Sequence, residues 1–299
     1  ILKGVSNKNV TSIILPDNIK TIAEKAFENS SIVEAVLNEG LESIEENGFA
    51  YSKIKKINFP STLKKIGNDA FLDCIDLEEA DLSKTKIETI NEYAFYGTGI
   101  KKAILPENLN SIADLAFAET PELIEITIPK NVKTIGTRAF YKSGITKLTL
   151  NNNLEKVEYM AFGECKNLTS ILHEGESSEA KGVLGNGCFQ DCTSLKEISI
   201  PECFSVIEGF TFIGCNQLVK ITLPKSLKEI GTQGLKTNFT VETIVFKSTD
   251  APVLKGKNVF PAFNKENSNI IIPKGSKDNY KEKWGDIFII LESKIKEEE

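Results

Sequence analysis

Histidine, tryptophan and methionine are almost absent from this sequence, since each occurs once in 299 residues. A single histidine leaves little material for the metal centres and general-base arrangements in which histidine is the usual ligand or base. Fingerprints of hydrolases, kinases, P-loop proteins and dinucleotide-binding proteins are also missing. The one glycine-rich stretch that invites comparison, GVLGNG at 182–187, has its glycines in the wrong order. We therefore predict a non-enzymatic protein without a metal or cofactor.

Long apolar runs and clustered basic residues are missing as well. No apolar stretch approaches the roughly 20 residues that cross a bilayer, so no transmembrane segment is predicted. Lys and Glu are interspersed, and a net charge of −6 with a pI near 5.3 argues against binding to nucleic acid or acidic lipid. The chain starts with ILKGVSNKN, without an initiator Met or a cleavage site, so we expect a mature fragment whose targeting segment lies outside it.

What is present is one unit repeated along the chain, and residues 123–140 (LIEITIPKNVKTIGTRAF) show it clearly. Ile126 and Ile128 point to one face of a short strand, whereas Glu125 points to the other. Pro129 ends the strand because it has no N–H to donate to a ladder. The apolar residues that follow fit an irregular or 3₁₀-like return segment, whose apolar side is buried only when copies stack.

The return segment repeats as an apolar residue, here called the anchor, followed five positions later by Phe. Successive anchors are 22, 22, 24, 22, 23, 22, 27, 23 and 23 residues apart, a period typical of leucine-rich repeats. A strand pattern precedes each anchor, and two further patterns follow at Val241–Phe246 and Asn269–Ile272. The anchor pairs are Ile22/Phe27, Ile44/Phe49, Ile66/Phe71, Ile90/Phe95, Ile112/Phe117, Ile135/Phe140, Val157/Phe162, Leu184/Phe189, Ile207/Phe212 and, with Leu in place of Phe, Ile230/Leu235.

The string IKKINFPSTLKKIGNDAFLDCIDL at 54–77 resembles the repeat of the BspA-like leucine-rich-repeat proteins of bacterial surfaces, and the resemblance covers about residues 10–246. The stretch at 270–292 is similar to the C-terminal end of many such proteins from Bacteroides-like bacteria. Together with the period, this implies a curved, right-handed parallel-β solenoid of about ten rungs. The resemblance also implies an extracellular or cell-surface protein, including one held on the outer membrane by a lipid.

The domain organisation follows from where the period holds. We predict a solenoid over residues 1–247, a C-terminal cap over 248–292 and a frayed tail over 293–299. The cap combines a helix at Ser276–Trp284 with an apolar run at Ile287–Leu291. It is needed because the last rung of a solenoid would otherwise expose apolar surface and a strand edge.

The cysteines and the histidine are expected to be structural. Four cysteines follow a repeat Phe by three positions, in a slot where other rungs have Ser or Thr, so each is expected to be a small buried side chain. The four are Cys74, Cys165, Cys192 and Cys215. We expect reduced thiols, with a disulfide between Cys192 and Cys215 as the alternative. His173 falls in an inward slot, where a hydrogen bond to a carboxylate such as Glu174 would suffice.

Outward strand positions carry the first candidate partner surface. The third positions of six successive strands alternate in charge, a pattern that favours correct register and that a charged docking surface would also explain. They are Glu34, Lys56, Glu79, Lys102, Glu125 and Lys147. The fifth positions on the same face include Thr127, Thr149 and Leu172, without the stacked aromatic platform of sugar-binding faces.

Two further candidates lie outside the strands. Tyr93, Leu115, Met160 and Phe210 stand two residues before the repeat Phe and form an apolar ridge, which is either a partner site or a set of half-buried turns. The acidic loop at 173–182, with His173, Glu174 and Glu176, is the second.

We predict a monomeric adhesion module for host or microbial proteins. The alternatives are a glycan-capturing module and, third, an enzyme that uses the 173–182 loop.

Overall fold

The computed structural model describes residues 1–4, 9–174, 180–237, 241–261, 263 and 268–298. The chain forms two compact units, Ile1–Ile145 (unit 1) and Thr146–Glu299 (unit 2). Each unit is a parallel-β solenoid in which a rung contributes two strands. We call them the front strand, which lies at the start of the repeat, and the back strand, which ends at the anchor.

Unit 1 contains twelve short strands. Its front strands pair in parallel as β1–β3–β5 and β7–β9, and its back strands as β2–β4–β6 and β8–β10–β12. The bounds are β1 Ser12–Ile14, β2 Thr21–Ile22, β3 Glu34–Val36, β4 Ser43–Ile44, β5 Lys56–Ile57, β6 Lys65–Ile66, β7 Glu79–Asp81, β8 Thr89–Ile90, β9 Lys102–Ile104, β10 Ser111–Ile112, β11 Glu125–Thr127 and β12 Thr134–Ile135.

Unit 2 repeats this arrangement and adds the helices. Its front strands pair as β13–β15 and β17–β19–β21–β23–β24, and its back strands as β14–β16–β18–β20–β22. The bounds are β13 Lys147–Asn151, β14 Lys156–Val157, β15 Ser170–Glu174, β16 Gly182–Leu184, β17 Glu197–Ser199, β18 Phe204–Ile207, β19 Lys220–Leu223, β20 Glu229–Ile230, β21 Thr243–Phe246, β22 Val253–Leu254, β23 Asn269–Pro273, α1 Lys277–Trp284, α2 Asp286–Leu291, a 3₁₀ turn Glu292–Lys294 and β24 Ile295–Glu298.

The core consists of columns of equivalent side chains. Because the strands pair in register, each repeat Phe lies over the Phe of the next rung. Six rings stack in unit 1, with centroids 4.8–5.4 Å apart, from Phe27 to Phe140. In unit 2, Phe162, Phe189 and Phe212 stack at 5.5 and 6.1 Å. All of these rings are fully buried, so the column forms a continuous apolar contact between rungs within each unit.

The turn that carries each Phe uses a backbone conformation that most residues avoid. In nine rungs the residue two positions before the Phe, or before Leu235, has a φ of 49–58°. The N–H groups of this turn point to the next rung, as in the bonds from Tyr93 N–H to the Asp114 carbonyl (3.2 Å) and from Phe95 N–H to the Ala116 carbonyl (2.9 Å). Such bonds offset the left-handed conformation, which costs about 1–2 kcal/mol per residue.

This architecture confirms the predicted parallel-β solenoid, and each of the twelve predicted strand patterns overlaps a front strand. The return segments differ from the prediction because they contain back strands of two to four residues. These strands form because the residue before the anchor pairs with its equivalent in the next rung. Thr89 and Ser111 are such a pair, and their hydroxyl groups are hydrogen-bonded at 2.9 Å.

The C-terminal region both continues and covers the solenoid. Strand β22 pairs with β20, and β23 pairs with β21, so this region adds strands to both rows. Phe246 of β21 packs against the rings of Tyr280 and Trp284 in α1, at centroid distances of 5.7 and 5.3 Å. The boundary of a separate cap at residue 247 remains a prediction.

The end of the chain is more ordered than the sequence predicts. Where a frayed tail was expected at 293–299, residues Ile295–Glu298 form β24 and pair with β23. Ile295 lies beside the buried Ile270, and the Glu297 carboxylate accepts a hydrogen bond from the Lys277 N–H at 3.0 Å. These contacts attach the acidic tail to the rest of unit 2, which the composition of the tail alone does not predict.

Candidate functional site

The four ridge residues differ in exposure. Tyr93 and Leu115 in unit 1 are half-buried, and Phe210 in unit 2 is 37% exposed. Phe210 also lines a cleft of about 420 Å³ on the back face of unit 2. Of the four residues, Phe210 is therefore the one that combines exposure with a concave surface.

Met160 does not belong to a partner surface. Its side chain is 6% exposed, which contradicts the prediction that it contributes to an exposed ridge. The reason is the glycine content of its surroundings, because a Cβ added at Gly187 or Gly163 would lie 3.2 or 3.0 Å from Met160 side-chain atoms. Met160 fills space that side chains occupy in other rungs.

The predicted front-face residues are mostly accessible. Thr127 in unit 1 is exposed, and in unit 2 Thr149 is half-buried, Leu172 is 57% exposed and Glu174 is exposed. Glu176 and the rest of residues 175–179, half of the acidic loop, lie outside the described residues. The face therefore offers isolated side chains of mixed character, with Leu172 as its most exposed apolar residue in unit 2.

His173 is exposed, whereas the sequence predicts an inward position. It pairs with Leu150, which is 1% exposed, so the register of the prediction is right. Among the described residues, however, β15 pairs only with β13 and continues to Glu174 without a ladder to β17. His173 therefore has a paired neighbour on one side only, and solvent reaches its ring.

The missing ladder between β15 and β17 opens a groove on the front face of unit 2. Equivalent rungs are joined by bonds from Thr169 N–H to the Thr146 carbonyl (3.0 Å) and from Val219 N–H to the Lys196 carbonyl (2.8 Å). Among the described residues, the corresponding bond from Lys196 N–H to the Thr169 carbonyl is not formed. The resulting groove has a volume of about 510 Å³.

The groove is lined mainly by polar side chains. Within the described part of the chain, Lys196, Glu197 and Lys220 form no ion pair. By contrast, ion pairs form at the front strands of unit 1, among them Lys55–Glu78 at 3.0 Å just before β5 and β7, and Lys102–Glu79 at 3.6 Å between β9 and β7. The lining residues are Thr169, Ser170, Ile171, Lys196, Glu197, Ile198, Ser199, Lys220 and Thr222. The groove therefore presents charged side chains of both signs that form no ion pair with one another.

The charge pattern predicted for the front strands is visible in the pairing. Glu34 lies beside Lys56, and Glu79 lies beside Lys102. Unit 2 adds a pair of the same kind, Glu197 beside Lys220, although these side chains line the groove. Opposite charges on neighbouring strands favour the observed register over a shifted one.

The cysteines occupy structural positions. All six are buried, and the thiols of Cys74, Cys192 and Cys215 donate to the carbonyl of the Phe in the preceding rung, at 3.0, 3.1 and 3.2 Å. Burial raises the pKa of Cys74 and Cys215 to about 12, which disfavours the reactive thiolate. In the described part of the chain, no three His, Cys, Asp or Glu residues are arranged to hold a metal ion.

The groove between β15 and β17 was not predicted from the sequence. The available clue is the 27-residue interval between Val157 and Leu184, which contains the acidic loop at 173–182. A pairing defect in the front row cannot be deduced from interval length, because back strands β14 and β16 stay paired across the same interval.

Comparisons with known proteins identify the repeat. A family model described as the BspA type leucine-rich-repeat region matches residues 5–123, 88–182, 110–242 and 182–279. No curated protein sequence matches the chain. Among the described residues, no helix has the length and apolarity needed to cross a membrane.

Solved structures of several bacterial proteins are similar to this chain. A leucine-rich repeat protein from Bacteroides ovatus is 23% identical, with a TM-score of 0.63 over 98% of this chain and 85% of that chain. The pneumococcal vaccine antigen PcpA is 19% identical, with a TM-score of 0.47 over 96% and 77%. A leucine rich cell surface protein from Faecalibacterium prausnitzii is 20% identical, with a TM-score of 0.43 over 89% and 82%.

The likeness to the Bacteroides ovatus structure shows the leucine-rich-repeat fold. The family model covers most of the chain, including all rungs with a repeat Phe. The chain therefore belongs to the BspA-type leucine-rich-repeat family.

Proposed function

We propose that this chain is a non-enzymatic cell-surface module that binds proteins of a host or of neighbouring microbes through the front face of unit 2. The family fold supports a protein-interaction or adhesion-type module. The observation that carries the proposal is the groove between β15 and β17, because it combines a concave shape with charged side chains that form no ion pair.

The chemistry of the groove suits a polypeptide partner. Among the described residues, the Lys196 N–H and the Thr169 carbonyl lack the ladder bond that the equivalent groups of the two neighbouring rungs form, so they are available to a partner's main chain. Lys196, Glu197 and Lys220 supply both signs of charge, which a protein surface complements more readily than a uniformly charged polymer does. Leu172, 57% exposed and near the groove, supplies an apolar contact.

The cell-surface location is supported by family membership, since BspA-like proteins occur on bacterial surfaces. A protein displayed there meets its partners directly, and a preformed face avoids the cost of ordering a loop on binding. External protease treatment of intact producing cells should degrade the protein while cytosolic markers survive. Complete protection in intact cells, with degradation after lysis, would contradict surface display.

The binding proposal is tested by adhesion of beads coated with the purified chain to immobilised host extracellular proteins and to bacterial surface proteins. Leu172→Asp and the double change Lys196→Glu with Lys220→Glu should each reduce bead retention about tenfold, the effect of losing about 1.4 kcal/mol. Ile75→Asp is the matched control, because Ile75 is 70% exposed but lies in a turn of unit 1.

Two results would contradict the front-face proposal. One is unchanged retention of both groove variants, and the other is an equal loss for Ile75→Asp. Thermal unfolding of each variant confirms that any loss is not caused by misfolding, since these exposed substitutions are expected to shift stability by less than about 0.5 kcal/mol. The glycan-capturing alternative concerns a different surface, the cleft beside Phe210 on the back face of unit 2.

A further inference from the structure

The back face of unit 2 contains a second concave surface, the cleft beside Phe210. Its volume of about 420 Å³ is within the range of small-ligand sites. It is lined by Asn186, Val206, Ile207, Glu208, Gly209, Phe210, Glu229, Gly231, Thr232 and Lys255. We propose that this cleft binds a neutral carbohydrate of one or two hexose rings.

The floor of the cleft is more apolar than the same surface in other rungs. The outward residue of the back strand is Val206 here, with Val183 paired beside it. In unit 1 this row is polar throughout, with Thr21, Ser43, Lys65, Thr89, Ser111 and Thr134. A local change from hydroxyl and ammonium groups to valine provides a face against which the C–H groups of a sugar ring can pack.

Gly209 allows the next rung to approach the cleft closely. Other rungs carry a side chain at this position, two residues after the anchor, as with Asn68, Thr137 and Asn186. At Gly209 an added Cβ would lie 2.8 Å from the Thr232 carbonyl oxygen and 3.2 Å from the Asn186 side-chain nitrogen. Glycine therefore lets Thr232 and Asn186 lie close together, and both residues line the cleft.

Phe210 supplies the aromatic surface. Its backbone is left-handed, with a φ of 58°, and its N–H donates to the Thr232 carbonyl at 3.0 Å, which fixes the residue at the edge of the cleft. The ring is 37% exposed. Because the face of an aromatic ring is negative, it attracts the polarised C–H groups on the apolar side of a pyranose.

The polar rim provides groups that sugar hydroxyls recognise. The Asn186 carboxamide and the Thr232 hydroxyl form no hydrogen bond to other residues in the described part of the chain, so both are available as donors and acceptors. Glu208 accepts a hydrogen bond from the Asn186 N–H at 2.9 Å, which orients its carboxylate and leaves lone pairs for a ligand hydroxyl.

The negative charge of the cleft's rim excludes an anionic ligand, and the pairing of β18 on both sides excludes the addition of a peptide strand. Among the residues that line the cleft, Glu208 and Glu229 face one ammonium group, that of Lys255, which is 3.5 Å from Glu229, so the rim is negative overall. Strand β18 is paired on both sides, with β16 and β20, and offers no free edge to a peptide. A neutral ligand with an apolar face and several hydroxyl groups fits both constraints.

The test mixes the full chain with a panel of neutral hexoses, N-acetylhexosamines and their disaccharides. Saturation-transfer NMR identifies the sugars that bind, and calorimetry then measures the affinity for each of them. Wild type should bind at least one sugar, and Phe210→Asn should weaken that binding about tenfold. Asn is chosen because Asn47 occupies the equivalent position with a φ of 55°, so the turn is preserved.

The matched control is Leu115→Asn, which makes the same kind of change at the equivalent position in unit 1 and should leave sugar binding unaltered. No binding to any sugar in the panel, or equal binding by wild type and Phe210→Asn, would overturn the proposal. The front-face variants Leu172→Asp and Lys196→Glu should bind sugar as wild type does, so this result stands or falls independently of protein adhesion.

Discussion

At the residue scale, buried thiols replace hydroxyl groups without becoming reactive. Thr98 and Thr120 donate to the Phe carbonyl of their own rung at 2.9 and 2.8 Å, whereas Cys74, Cys192 and Cys215 donate to the Phe carbonyl of the preceding rung. Either side chain satisfies a carbonyl inside the solenoid. The slot therefore selects for small size and a donor, and thiol chemistry is incidental.

We predict that these thiols are unreactive in the folded protein. Burial raises the pKa of Cys74 and Cys215 from 9.0 to about 12, and it raises the pKa of Cys188 and Cys192 as well. A colorimetric disulfide reagent at neutral pH should react with almost no thiol in native buffer and with all six after unfolding in guanidinium chloride. Rapid reaction of two or more thiols in native buffer would contradict this prediction.

The same pKa shifts predict a loss of stability at alkaline pH. For Cys74 and Cys215 the folded pKa of about 12 is higher than the ordinary 9.0, so folding favours the neutral thiol. Their contribution is complete below pH 9 and is lost as the pH rises towards 12. The urea midpoint should fall over this range, and by less in a Cys74→Ser, Cys215→Ser double variant. An equal fall in both proteins would assign the effect to other groups.

At the element scale, the column of stacked Phe rings contributes to the stability of packing between neighbouring rungs. Phe95 is fully buried between Phe71 and Phe117, with centroid distances of 5.3 and 5.2 Å. We predict that Phe95→Ala lowers the free energy of unfolding by about 3–5 kcal/mol. Phe95→Leu should cost less, because Leu235 fills the equivalent position in another rung. Urea unfolding measures both, and Ile75→Ser, at a 70% exposed site, is the control.

The charges of the front strands are predicted to act on register more than on stability. The Lys102–Glu79 pair is exposed, so the pair itself should contribute only a few tenths of a kcal/mol. Lys102→Glu places like charges side by side and should lower stability slightly, in a way that salt relieves. Adding Glu79→Lys restores opposite signs within the pair and should recover part of the lost stability, because the exchanged charges then have like charges, Lys56 and Glu125, in the strands on either side. A double-mutant cycle that gives no coupling energy between Glu79 and Lys102 would contradict the predicted role of this pair in strand register.

The elements that the sequence predicted best are those fixed by buried side chains. Ile126 and Ile128 are each 2% exposed, and the alternation around Glu125 identifies β11 directly. The elements that it missed depend on backbone pairing between rungs. Strand β24 and the gap between β15 and β17 result from which N–H groups meet which carbonyls, and the side-chain pattern does not encode this.

At the scale of the whole molecule, the residues that repeat from rung to rung predict the architecture. Any function has to depend on the residues that differ between rungs. Met160 was a candidate surface residue because it replaces polar residues of other rungs, yet it is buried where Gly163 and Gly187 leave space. Phe210 makes the same kind of replacement and is exposed. The difference lies in neighbouring rungs, so one rung's sequence cannot distinguish a filled gap from a binding surface.

The C-terminal region is predicted to be required for the folding of the rungs next to it. The carbonyl groups of Lys257 and Val259 accept the N–H groups of Gln233 and Leu235, at 3.1 and 3.0 Å, and α1 covers Phe246. Removing residues 248–299 leaves those turn N–H groups without their partners and exposes the ring. We expect faster hydrogen exchange in β19 and β21 and a lower unfolding midpoint.

Removing only residues 295–299 is the control for that truncation. This shorter deletion takes away β24, whose last three described residues are exposed, but it keeps Phe246 covered by Tyr280 and Trp284. Exchange should then increase mainly in β23 and remain slow in β19 and β21. If the long deletion left exchange in β19 and β21 unchanged, the last rungs would be stable without a cover. The aromatic cluster around Phe246 would then serve only to attach α1.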